Sequence, residues 1–169
     1  MATIEGKRLV TVSTTKALAS AVAYAIEDVL SEHATTGTDW DFDTAGKVNG
    51  GTGFIVKAQA ICETTAVTPR LTLFLFNVAP TSAVNDNVAN TALLHADLTK
   101  YIGKIDFPAM EDLGGDSEAI VTPSTYGNLP LTFTCASADD ALYGILVTRD
   151  AFTNTATNDM TIVLTFEQY

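Results

Sequence analysis

Residues 53–63 read GFIVKAQAICE, and this stretch decides the fold class. Phe54, Val56, Ala58, Ala60 and Cys62 fall on one side of an extended chain, and Lys57, Gln59 and Glu63 on the other. Strand side chains alternate between faces with period two, so the pattern predicts an antiparallel strand with one apolar and one wetted face. The turn signal Asn49-Gly50-Gly51 opens it.

The same alternation recurs in both directions. Residues 8–15 read as a first strand. In DWDFD, residues 39–43, Trp40 and Phe42 face one way while Asp39, Asp41 and Asp43 face the other. Residues 70–78, RLTLFLFNV, are apolar on both faces, with Leu71, Leu73 and Leu75 opposed to Phe74, Phe76 and Val78. Such a strand is central in a sheet, or has one face covered by a partner. YIGKIDF, residues 101–107, is another strand, ended by Pro108. Leu129, Leu131, Phe133 and Cys135 point inward from residues 129–135. Tyr143, Ile145 and Val147 share a face of ALYGILVTR, and Ile162, Leu164 and Phe166 a face of residues 160–166.

Between these strands, residues 17–25 are helix-permissive by composition, and residues 26–31 suit a strand or a turn. TALLHADLTK, residues 91–100, predicts a short helix with Asn90 or Thr91 as N-cap. Residues 80–90 and 110–126 read as polar loops. The sum is an all-β fold: an antiparallel β-sandwich or jelly roll of about eight strands with one or two short helices. An up-and-down barrel would want more even spacing. No compositional break or internal repeat divides residues 1–169, so one domain is expected.

The chain has 169 residues, of which 47% are hydrophobic and 26 are Thr, a composition suited to pleated strands around a sizeable core. Charged residues make up only 17%, below the usual ~25%. Either the core is large, or part of the surface is covered by a partner. Net charge is −11, and the nine Lys and Arg are scattered apart from Lys7-Arg8. No basic stripe exists to neutralise phosphates, which argues against nucleic acid, and an anionic membrane would repel the chain. No run approaches 18 apolar residues. Residues 17–26, ALASAVAYAI, imitate the apolar part of a secretion signal, with Lys7-Arg8 before it and Ala21-Val22-Ala23 like a cleavage site. Glu5 and the polar run 13–16 interrupt that pattern, so use without secretion is expected. Cys62 and Cys135 form no CxxC and no disulfide framework, so buried free thiols are expected, in keeping with a reducing compartment.

No complete catalytic motif is present, so catalytic and cofactor-binding residues are expected to be absent. Asp39, Asp41 and Asp43 have the spacing of the first three ligands of an EF-hand. Thr44 then stands where the turn demands Gly, and Gly50 where a bidentate Glu is needed. The aromatics between the aspartates favour a strand face, with a cation shared with another chain as the alternative. His33 and His95 lack partners at metal-ligand spacing, and no GxSxG marks a nucleophile. The carboxylates of Glu111-Asp112 and of Asp116 and Glu118 share an acidic loop that reads as solvated rather than as a glycosidase pair. The glycine cluster at residues 49–53 lacks the Lys-Ser/Thr of a phosphate loop and reads as a hairpin turn.

LYGILVTRDAF at residues 142–152 and the terminal TIVLTFEQY resemble a group of tailed-phage virion proteins. LFLFNVAP, the polar loop after it and DLTKYIGKIDF extend the likeness over roughly the C-terminal 60% of the chain. The first 50 residues carry less of it, and are a candidate attachment region. The resemblance implies a small sandwich or jelly-roll subunit on the outer capsid surface, assembled in host cytoplasm. Its type is a decoration (cement) protein that is trimeric and binds the major capsid protein. In that frame Trp40, Phe42, Leu71, Leu73, Phe74, Phe76, Leu142 and Leu146 are candidate subunit contacts. A head-fibre or base component is the neighbouring possibility. The reading from another class is a lectin-like carbohydrate-binding module using Trp40, Tyr126, Asp39 and Asp41.

Overall fold

The computed structural model describes residues 6–18, 23–125, 127–154 and 158–169. Its strands are β1 (Arg8–Ala17), β2 (Ala23–Tyr24), β3 (Val29–Leu30), β4 (Trp40–Phe42), β5 (Thr52–Cys62), β6 (Leu71–Phe76), β7 (Tyr101–Phe107), β8 (Glu111–Asp112), β9 (Ser117–Val121), β10 (Leu131–Thr134), β11 (Leu142–Thr148), β12 (Phe152–Thr153) and β13 (Asp159–Gln168). One sheet runs β1-β13-β5-β9-β8, with β10 collinear with β9 along β5. The other runs β3-β11-β6-β7, with β4 also on β11.

Grouping β3 with β4, and β9 with β10, and setting aside the two-residue β2, β8 and β12, leaves eight principal strands. The first pairs with the eighth, the second with the seventh, the third with the sixth and the fourth with the fifth, all antiparallel. The β13–β5 and β11–β6 ladders then join these pairs into two sheets, ordered 1-8-3-6 and 2-7-4-5. This is a long hairpin rolled into a sandwich, the jelly roll. Alternation explains the layering, because each principal strand sends one apolar face between the sheets. Leu71, Leu73, Leu75, Ile162, Leu164, Phe166, Ala58 and Ala60 meet there at 0% exposure.

The phase of β5 differs from the alternation read in the sequence. Phe166 pairs with Ile55 but Thr165 with Lys57, so Val56 is an inserted residue. This β-bulge flips the faces on its N-terminal side. Ile55 enters the core while Phe54 and Val56 are half-exposed, and Phe54 packs edge-on against Tyr169 at 5.8 Å.

Three local expectations are corrected. Residues 91–100 form only a 3-10 turn, His95–Asp97, preceded by Leu94 with no side-chain cap. Asn90 instead closes a local turn, accepting from the Ala92 amide (2.8 Å) and donating to the Ala92 carbonyl. Residues 110–126 are not all loop, since they contain the β8–β9 hairpin about Gly114-Gly115. Within residues 17–25, Ala17 ends β1 and Ala23–Tyr24 is β2, while residues 19–22 lie outside the described residues.

The two-faced strand β6 is central, between β11 and β7, and its outer face is covered by its own chain. Phe74, Phe76, Val29, Ile145 and Val147 form a second cluster under Val84, Val88, Ala92 and Leu93 of the crossing segment, residues 77–100. Burying each such side chain is worth about 1.5–3 kcal/mol, so no partner is needed there. The eight candidate subunit contacts are placed accordingly. Trp40, Phe42, Leu71, Leu73, Phe76, Leu142 and Leu146 are at most 1% exposed and Phe74 is 8% exposed, all within intrachain packing. A side chain already enclosed on all sides has no area left for a subunit interface.

Candidate functional site

The carboxylates gather at one end of the sandwich. Strand β4 buries Trp40 and Phe42 and turns Asp41 outward, as alternation demands. Gly144 lies opposite Trp40 on β11, and a Cβ there would meet Leu73 Cδ1 at 2.8 Å and Phe42 and Trp40 at 3.3 Å. A glycine is therefore required where Leu73 of β6 and Phe42 and Trp40 of β4 crowd against β11. The Trp40 Nε1–H donates to the Leu30 carbonyl at 2.9 Å. Lys16, buried at the end of β1, sits 5.7 Å from the indole centroid. Its ammonium pairs with Glu32 and donates to Thr38 Oγ1 (2.7 Å) and the Thr38 carbonyl (3.0 Å).

Outside this buried layer, Asp39, Asp41 and Asp43 stand near Asp139, whose carboxylate accepts from the Tyr143 hydroxyl. Partial burial, then the charges of Asp43, Asp39 and Asp139, push the Asp41 carboxyl up to about 6, against the pull of Lys16. Burial also raises Asp39. Among the described residues no group of three or more His, Cys, Asp or Glu is placed to hold a metal ion. The expected strand is present, with Trp40 and Phe42 inward and Asp41 outward.

These shifts set a pH dependence. A carboxyl raised in the folded state binds its proton more tightly there than in the unfolded chain, so Asp41 favours folding below about 4 and loses that contribution as pH rises through 6. Glu32 and Asp150 act oppositely. Lys16, Ser31 and Thr38 hold Glu32 at about 2, and Arg70 holds Asp150 at about 2, so their stabilisation is lost as pH falls from about 4 toward 2. Stability should therefore peak between about pH 4 and 6. Because Asp41 is exposed, the gain from pH 7.5 to 5 should be about 1 kcal/mol after screening. Urea midpoints across pH check this, and Asp41→Asn should flatten the change between pH 5 and 7.5.

The remaining candidates are structurally engaged. His33 Nδ1 accepts from the Thr36 amide (3.1 Å) and the Thr35 amide (3.2 Å), closing a turn, and His95 is exposed on the 3-10 turn. Amides of the glycine cluster are occupied, with Gly50 donating to the Ala136 and Asp139 carbonyls and Gly51 to Val48. No phosphate cradle remains. Glu111 and Glu118 face one another across the β8–β9 hairpin, and Glu118 accepts from Gln59 at 2.8 Å. Cys62 and Cys135 are buried free thiols, as expected, and burial pushes Cys135 up to about 11. Tyr126 lies outside the described residues.

Two shallow grooves mark the surface. One of about 190 Å³ lies against the β8–β9 hairpin, between Pro108, Leu113 and Ile120. The other, about 250 Å³, lies between the edges of β7 and β10 and is lined by Asn77, Tyr101, Ile102, Thr132, Phe133 and Thr134. Both fall below the roughly 300–1,000 Å³ of a typical small-ligand pocket.

Buried ionisable groups are the feature the sequence reading missed. Asp97 is 0% exposed and accepts from both the amide and the hydroxyl of Thr81 and of Ser82, at 2.9–3.0 Å. Asp86, 1% exposed, accepts from the Tyr24 hydroxyl (3.0 Å) and the Ser31 amide (2.9 Å). Each fastens a loop to the sandwich. One signal was available for Lys16: it stands at an inward position of the β1 alternation.

No protein-family model matches the chain, and no curated protein matches it. Among solved structures, a Clostridium thermocellum endo-1,4-β-D-xylanase 10B, its CBM22-1 and GH10 modules complexed with xylohexaose, aligns at 9% identity and TM-score 0.32, over 94% of this chain and 26% of that one. Triatoma virus aligns at 11% identity and TM-score 0.23, over 92% and 63%. The heated full particle of Israeli acute paralysis virus aligns at 18% identity and TM-score 0.29, over 95% and 66%. The chain thus spans about a quarter of the first and just under two thirds of the others. Similarities this weak bear on neither family nor function.

Proposed function

We propose that this chain is a non-enzymatic structural subunit of a tailed-phage virion. In this reading it is a decoration protein that docks on the major capsid protein at the outer surface and associates with copies of itself. The carrying observation is how its buried polar groups are used. Lys16, Asp86 and Asp97 each fasten a loop to the jelly roll, and neither groove gathers them around a space of ligand size. A rigid body with its polar groups turned to self-support suits a part whose work is to be bound. Its effect on a shell would be mass action, since whatever binds only the assembled state stabilises it. The segmental resemblance at residues 142–152 and 161–169 adds to this support.

The test mixes purified protein with expanded and unexpanded capsids of its phage. Saturable co-sedimentation with expanded shells, and a raised disruption temperature, is the expected result. No addition to either form would sink the proposal, and binding to fibres or a base structure would move the chain to that part of the virion. A carbohydrate-binding module is the second reading, favoured by the half-exposed Tyr101 beside Asn77, Thr132 and Thr134 in the larger groove. A glycan-array signal lost on Thr132→Lys would favour it.

A further inference from the structure

Strand β1 is a ten-residue edge strand, and among the described residues no strand pairs with its outer side. Its ten pairs with β13 run without a register shift. Residues 6–18 hold no Pro, and none of the chain's 20 acidic residues. Edges of this kind are templates for another strand, and natural sheets ordinarily blunt them. The other edges here are blunted. β8 has two residues and β10 four. β7 carries a register shift beside Gly103, its Lys104 carbonyl accepts from Asn128, and its Asp106 amide donates to the Gly127 carbonyl.

The hydrogen-bond phase of β1 is fixed by Leu18, which donates to the Asn158 carbonyl at 3.2 Å and continues the ladder by one pair. Antiparallel residues alternate in direction, so even-numbered residues bond β13. Leu9, Thr11, Ser13, Thr15 and Ala17 therefore direct their N–H and C=O groups outward, and their side chains lie on the exposed face.

We propose that this edge pairs with the same edge of a second copy, antiparallel about a two-fold axis at Ser13. Of the registers that keep outward groups opposite outward groups, the two centred on Val12 and Ser13 overlap the strands most. Centring on Val12 would set Arg8 against the second copy's Lys16, a like-charge pair. Centring on Ser13 sets Leu9 against Ala17, Thr11 against Thr15 and Lys16 against Val10, and forms about ten backbone hydrogen bonds rather than eight. Within the chain, Thr11 Oγ1 already lies 3.3 Å from Thr165 Oγ1, and Thr15 Oγ1 2.8 Å from Thr161 Oγ1. The Ser13 register extends those contacts into rows of four threonines, Thr165-Thr11-Thr15-Thr161, crossing the junction. A second copy presents this complement by symmetry, which is what selects it as the occupant. The pairing needs no capsid, so it stands or falls apart from the virion reading, and it is two-fold rather than the trimer that the resemblance implies.

Light scattering on the purified chain over a concentration series should show 17.9 kDa rising toward twice that mass. Ser13→Lys places two ammonium groups at the axis, and Ser13→Pro removes an outward N–H without touching the β13 ladder. Each should weaken association about 100-fold while leaving the monomer folded. Leu98→Lys, on the crossing segment, should change nothing. Hydrogen exchange gives the direct signature: the odd-numbered amides from Leu9 to Ala17 should become protected as the protein associates, while the even-numbered ones are protected throughout. A monomer at every concentration, a three-copy mass, or a two-copy mass indifferent to Ser13→Lys would overturn the proposal.

Discussion

Replacing Asp97 with alanine should lower stability by about 3–5 kcal/mol, the cost of leaving several buried hydrogen-bond donors without an acceptor. The carboxylate is fully enclosed, and the Ser82 amide and hydroxyl that bond it are buried with it. Lys100 adds a longer contact at 3.4 Å. Each stranded buried donor costs about 1–3 kcal/mol, and the Ser82 amide and hydroxyl are enclosed while those of Thr81 lie nearer solvent. The damage should spread, because Asp97 pins the start of the crossing segment, residues 77–100, over Phe74, Phe76 and Val147. Asp97→Asn keeps the shape but turns an NH₂ toward donors, so it should fall between the two. Donation from Thr81 and Ser82 holds the carboxyl at about 2 despite burial. Its contribution is thus present above the ordinary carboxylate range and lost as pH falls toward 2. Urea unfolding of wild type and Asp97→Ala at pH 7 and pH 3 measures both effects. The difference between the proteins should be smaller at pH 3, and a loss under 1 kcal/mol at pH 7 would refute the anchoring role.

Asp97 also shows where the sequence stops speaking. HADLTK reads as the end of an amphipathic helix, because Leu94 and Leu98 are four apart. What shapes the segment is a carboxylate meeting amides 15 and 16 residues upstream, together with the need to cover β6, and neither is local. Strand alternation was legible wherever one face met the core and the other met water, as in Ile162, Leu164 and Phe166. It failed at Phe54-Ile55-Val56, where three apolar residues in succession hide the bulge that changes their phase. It was weak at Ser117-Glu118-Ala119-Ile120-Val121, where the inward residues Ser117 and Ala119 are small. The jelly roll itself rests on pairs as distant as Arg8 with Gln168, which no local pattern encodes. The two-faced strand β6 was read as central or covered by a partner; it is central, and only the structure could say that its cover is the chain's own.

Trp40→Ala should be as damaging, at about 3–5 kcal/mol, by removing the largest fully buried side chain and leaving a cavity in the main core. Two further contacts go with it: the Leu30 carbonyl loses the indole donor, and Lys16 loses the ring beneath its ammonium. Trp40→Phe should cost less, since a ring still fills most of the space while the Leu30 carbonyl goes unpaired. The experiment discriminates between readings of DWDFD. A sugar-stacking tryptophan is exposed, so its removal would spare stability and abolish ligand binding. Trp40 is 1% exposed, and it is the only tryptophan in the chain. Native fluorescence should therefore be blue-shifted, insensitive to oligosaccharides, and shifted to the red only on unfolding. Urea curves followed by circular dichroism for the variants, and by fluorescence for wild type, test this. A Trp40→Ala protein as stable as wild type would mean that the indole is not the keystone of the β4 end, and would return it to the surface as a binding residue.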